Sequence, residues 1–192
     1  MINFFDYTSA IKPAKGTLLL SEPFLSDPNF DRTVVLLCEH NDDGSFGFVL
    51  NKPSKVELSE IIEDVHQFDG TVYIGGPVQH NTLHYIHRFP GLVGGQEIQN
   101  GLYWGGDFTQ LVQMIENKEI SEHDIRFFIG YSGWEEGQLE EELDKKSWIV
   151  AELNNLDIVF ESNEVDMWKN ILKGLGGKYS IYSNYPTDPR LN

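Results

Sequence analysis

Short apolar segments, each closed by turn-forming residues, set the limits on how this chain folds. In the first half they cover residues 16–22, 33–40, 46–52, 72–76 and 83–89, all rich in Val, Leu, Ile or Phe. Their length and composition predict strands instead of helices. Between the second and third, His40-Asn41-Asp42-Asp43-Gly44 supplies turn-forming side chains and a residue free to take positive φ, so a hairpin is expected there. It lacks the alternating oxygen ligands and closing Glu of an EF-hand calcium loop. Leu58, Ile61, Ile62 and Val65 have helical spacing after Val56 or Ser59, which predicts one short amphipathic helix among these strands.

The second half alternates strand and helix. Residues 102–105 read as extended, and Asp107 is placed to cap a helix carrying Phe108, Leu111, Val112 and Ile115 on one stripe. Residues 125–131 form a nearly continuous apolar run, the mark of a central strand. Ser132 and Glu135 then have capping-box spacing, and Glu135, Glu136, Lys145 and Lys146 match a helix dipole, so a helix is predicted over 134–146. Residues 148–151 and 156–160 are predicted strands. Val165, Trp168, Ile171, Leu172 and Leu175 mark a last helix that ends at Gly176-Gly177, with surface coil over 184–192. The stretch 90–101 is read as a Gly-rich loop. Strands first, with helices interleaved later, argue for an α+β fold with an antiparallel or mixed sheet, built as a single domain over residues 1–192.

Charge narrows the partners. With 14 Lys and Arg against 30 Asp and Glu, the net charge of −16 repels polyanions and disfavours direct nucleic-acid binding. The longest unbroken apolar run, Val34 to Cys38, is far short of the roughly 20 residues of a membrane helix, so no membrane association is expected. Cys38 is the single cysteine, which forbids an intrachain disulfide, and the first residues lack a signal-peptide pattern. A cytoplasmic location is the expectation.

Several motifs approach known chemistry without reaching it. Gly130-Tyr131-Ser132-Gly133-Trp134 sits between a strand and a predicted helix, like a nucleophile elbow, but lacks the final glycine. Ser132 is accordingly read as a helix cap. His80, His84 and His87 are close in sequence; along a strand His84 and His87 face opposite ways and do not converge as metal ligands, whereas in a helix all three would share a face and could hold a metal. Cys38 and His40 lie ~7 Å apart on one face of a strand, too far for a thiolate–imidazole pair. Gly174 to Lys178 follows a helix instead of opening one, so it is no phosphate loop. No cofactor, metal site or catalytic set is expected from these residues.

Four blocks carry a family resemblance: residues 26–35 continuing to Cys38-Glu39-His40; Gly44 and Gly47 leading to Asn51-Lys52-Pro53; Gly75-Gly76-Pro77 with His87; and Gly130-Tyr131 with Trp134, Gly137, Gln138 and Leu139. Together they resemble the AlgH/YqgE family of bacterial proteins, over most of 16–176. The stretch 91–107 and the aromatic-rich tail after Gly177 fall outside the match. The resemblance implies an α+β fold whose strands make a flattened barrel or sandwich flanked by helices. It implies no defined reaction. One member is named for a role in regulating alginate synthesis, and relatives are called transcriptional regulators. Within the matching blocks, Asp31, Arg32, Glu39, His40, Asn51, Lys52, His87, Trp134 and Gln138 are candidates for a ligand- or partner-binding site on loops and strand ends. Each also has a structural reading: Arg32 has acidic neighbours in Asp31 and Glu39, and Trp134 is placed to anchor a helix. The expected function is a regulatory or adaptor protein binding a protein or small ligand without catalysis. The alternative is a hydrolase using Ser132 or Cys38 with a histidine.

Overall fold

Strands such as Leu18-Leu19-Leu20 and Val34 to Leu37 are apolar without interruption because both of their faces are buried. The computed structural model describes residues 11–66, 68–161 and 163–186. These form β1 (Leu18–Ser21), β2 (Val34–Asn41), β3 (Gly44–Val49), α1 (Leu58–Ile61), β4 (Val72–Ile74), β5 (Val78–His87), β6 (Gln96–Gln99) and β7 (Leu102–Trp104). They continue with α2 (Phe108–Glu116), β8 (Ile125–Glu135), α3 (Gln138–Asp144), β9 (Trp148–Ala151), α4 (Asp157–Phe160), α5 (Glu164–Leu175) and α6 (Gly177–Tyr182). The strands make one sheet in the order β6-β7-β5-β8-β3-β2-β1-β9, antiparallel throughout, with β4 added in parallel beside β8.

Although its hydrogen-bonded path is open, the sheet curls round one core. Edge strand β6 contributes Ile98 and edge strand β9 contributes Ile149 and Ala151 to the same cluster, which α4 and α5 close with Val159, Phe160, Met167, Trp168 and Leu172. Gln99 Nε2 of β6 donates to Leu153 O just beyond β9, at 3.1 Å. The α+β architecture with a flattened, barrel-like sheet is thus observed, without backbone closure. Two outer clusters cover the convex side: α1 and α2 with Leu58, Leu111 and Ile115, and α3 with Leu139 against Trp134 and Trp148.

The strands predicted in the first half are all present, and the β2–β3 hairpin turns at Asp42-Asp43 with Asn41 opposite Gly44. Asp107 caps α2 through Gln110 N, and α5 lies where its apolar stripe placed it. Four local readings are corrected. The helix predicted over 134–146 is only Gln138–Asp144, because β8 runs on to Glu135 and pairs with β3 through Trp134 and Gly133. Ser132 therefore lies within a strand and caps nothing. Residues 156–160 are helical, since α4 needs only one apolar face on the core. The stretch 90–101 contains β6, a mostly polar edge strand. Finally, β5 begins five residues earlier than predicted, at Val78. Of the expected surface coil, 187–192 lie outside the described residues, as do residues 1–10. No helix among the described residues is long and apolar enough to cross a membrane.

Candidate functional site

The curled sheet is filled at its centre and open at the hairpin end. At the base of the opening Phe48 stacks on Phe128, with centroids 4.7 Å apart. Above them four rings from four strands form a closed circuit of contacts: Phe46 to Trp104 at 4.8 Å, Trp104 to His84 at 6.5 Å, His84 to Tyr131 at 5.8 Å, and Tyr131 to Phe46 at 6.3 Å. All four are half-buried. Gly133 lies directly opposite Phe46, and Gly44 lies one layer further out, opposite Glu135; neither glycine has a side chain to fill the space. The result is a cleft of about 830 Å³ with an aromatic floor. Such openings at the ends of curled sheets are common ligand sites.

The floor depends on a fault in β8. Phe128 faces the inner core, so plain alternation would turn Tyr131 outward. Gly130 interrupts the alternation with φ +67, and Tyr131 turns inward to pack against that same core. A Cβ at Gly130 would lie 2.6 Å from Val78 O. Gly76 solves the matching problem on the crossing strand connection: a Cβ there would collide with Tyr131 and Ser132.

The rim is acidic. Glu39, Asp43 and Glu135 line it, and among the described residues no Lys or Arg does. His84 adds no countercharge, because burial holds its pKa below the ordinary histidine value; its Nε2 lies 3.0 Å from Thr82 Oγ1. Neutral rings beneath carboxylates make a surface suited to a cation.

The residues singled out from the sequence fall in three places. Glu39, Trp134 and Gln138 line the cleft. His40 stands behind it, with Nδ1 2.7 Å from Ser45 Oγ and Nε2 3.6 Å from Glu140. Gln138 Nε2 and the Nε1 of both Trp134 and Trp148 donate to the Glu142 carboxylate, fixing α3 against the sheet. The second group is a loop brace. Asn51 Nδ2 donates to Arg32 O and its Oδ1 accepts from Val34 N, while Lys52 Nζ donates to Pro28 O and Asn29 O. Burial lowers the Lys52 pKa, and Asp31 and Asp27 partly restore it. Arg32, expected to pair with Asp31 or Glu39, instead donates to Tyr185 O at 2.6 Å and lies over the Trp168 ring. His87 stands alone, fully buried, bonded to Gly105 O at 2.8 Å and accepting from Phe89 N at 3.1 Å. Its pKa is lowered by burial, an effect the Gly105 carbonyl partly opposes.

Neither suggested nucleophile meets a histidine. Ser132 is buried and its Oγ donates to Gly75 O at 3.0 Å. Cys38 is buried, its thiol faces Leu36 O, and burial pushes its pKa far above the ordinary thiol range. Among the described residues no group of three His, Cys, Asp or Glu side chains is arranged to hold a metal ion. Nothing in the sequence pattern marks Phe46 or Trp104 as site residues, and His84 reads there only as a structural or metal-binding histidine. These rings come from separate strands, and only topology brings them together. The single local signal was Tyr131, flanked by the motif glycine Gly130 and by Gly133.

The AlgH-like family model, a domain of unknown function, matches residues 18–180, including the stretch 91–107 that the motif blocks left out. A UPF0301 protein of Cytophaga hutchinsonii is 46% identical, with 93% of this chain and 98% of that protein covered. One of Chlorobium limicola is 42% identical over the whole of both chains. The solution structure of the AlgH protein from Pseudomonas aeruginosa superposes with a TM-score of 0.70 at 28% identity, covering 92% of this chain and 98% of that one. A Corynebacterium diphtheriae crystal structure shares the fold, with a TM-score of 0.77 at 24% identity over 96% and 100% of the two chains. Matched across nearly all of its length, this chain belongs to the AlgH-like, UPF0301 family.

Proposed function

We propose that this protein is a cytoplasmic regulatory or adaptor protein that binds a protein or small ligand in the aromatic cleft without transforming it. The observation that carries the reading is the circuit of Phe46, His84, Trp104 and Tyr131, half-exposed at the end of a filled core and left uncovered by the glycines beside it. Exposed aromatic floors supply binding energy without chemistry. Ser132 and Cys38 support the same side of the question, because each is buried and bonded to a carbonyl. Nucleic acid is a poor partner for an acidic rim on a chain of charge −16.

Native mass spectrometry of untagged protein purified gently from its own cells tests this. The expected result is an additional bound mass that disappears in Trp104→Ala and Tyr131→Ala and survives Lys52→Ala. A bound mass lost only in Lys52→Ala moves the site to the loop brace and overturns the reading.

A further inference from the structure

The cleft is bounded by an unfinished strand. β5 accompanies β8 only as far as Tyr131, opposite Val78. Beyond that, β8 continues through Gly133 to Glu135 with β3 as its one strand partner among the described residues. The Glu135 N–H is met by Gln138 Oε1 at 3.0 Å, a side chain standing where a neighbouring strand is absent. Gly133 is exposed, and without a side chain it allows a second backbone to come close. This margin borders the aromatic floor, with Glu39, Asp43 and Glu135 around it.

Resting on the cleft as the binding site, we infer that its occupant is a short, extended, basic segment of a partner protein. The segment lies along the free margin of β8 by strand addition, which gives affinity through main-chain bonds and specificity through alternate side chains. One arginine or lysine side chain rests over the Phe46, Trp104 and Tyr131 rings, where cation–π attraction and the rim carboxylates act together. Charge complementarity selects the sign of the partner: among the described residues three acids and no Lys or Arg line the cleft, on a chain of charge −16. A lone small cation uses the rings and leaves the strand margin idle, and for that reason the segment is the occupant.

The test is a titration of isotope-labelled full-length protein, followed by amide NMR shifts, with three probes. These are a capped five-residue peptide alternating valine and arginine, its glutamate counterpart, and arginine amide. The expected result is that the arginine peptide moves the amides of Tyr131, Gly133 and Glu135 and binds roughly tenfold or more tightly than either other probe. Trp104→Ala weakens it about tenfold. Glu39→Gln, an exposed change that leaves the core intact, weakens it in the same direction, and backbone N-methylation of the peptide abolishes the gain over arginine amide. Equal binding of the glutamate peptide, or shifts confined to other surfaces, overturns the inference. Arginine amide binding as tightly as the peptide replaces the segment with a small cation. In either case of binding within the cleft, the cleft remains the site. If all three probes leave the cleft unmoved and its variants keep the mass found in native protein, both readings fall.

Discussion

Gly130 decides whether Tyr131 faces inward, and its demands are geometric. An alanine there meets both a left-handed φ of +67 and the Val78 carbonyl, so Gly130→Ala is expected to destabilise the protein by ~2–3 kcal/mol, read from the urea midpoint. A neutral result shows that β8 does not need the fault. Glu142 is the second such residue. Its carboxylate accepts from two indoles and Gln138, and Glu142→Ala is expected to cost ~2 kcal/mol and to alter the tryptophan emission through Trp134 and Trp148. Cys38 offers a simpler check. A buried thiol held in its neutral form reacts with thiol reagents only after unfolding, so labelling of the native protein within minutes contradicts its place in the core.

Among the elements, those whose own residues carry the pattern were legible: the β2–β3 hairpin from its Asp-Asp-Gly turn, α2 from the Asp107 cap, and α5 from its stripe. β8 was legible only in its first half. From Ser132 onward the local signals favour a helix, but Trp134 buries against Phe30 and Trp148 while its backbone pairs with Ser45, and these long-range contacts outweigh a capping pattern. β6 escaped notice because only Ile98 among its residues is buried. The candidate site was legible in part for the same reason. Gln138 and Trp134 sit in one motif, whereas Phe46, His84 and Trp104 are joined by strand order alone. α5 holds the inner face closed, with Trp168 Nε1 donating to Ser21 O at 3.0 Å. Trp168→Ala is expected to cost ~3–5 kcal/mol in denaturant titration. A loss under 1 kcal/mol contradicts the place of α5 as the lid of that core.

For the molecule as a whole, the two histidines lowered by burial link stability to pH. Each is held below its ordinary value of 6.5 in the folded state, so on acidification the unfolded chain takes up protons first. Stability from this source is complete above 6.5 and falls as pH drops through the lowered values. The urea midpoint should therefore fall as pH drops below 6.5, and replacing His84 and His87 with Gln should flatten that fall. An unchanged slope in the double variant contradicts the assignment. The curled sheet leaves its aromatic layer open at one end, and that opening as the place of recognition is the central claim. It is tested most directly by a photo-crosslinking residue at Asn41, on the rim, compared inside the organism's own cells with one at exposed Asp31 beside the loop brace. The expected result is a discrete adduct from position 41 that is lost when Trp104→Ala is added, with none from position 31. An adduct from position 31 alone, or one from position 41 that ignores Trp104→Ala, contradicts it.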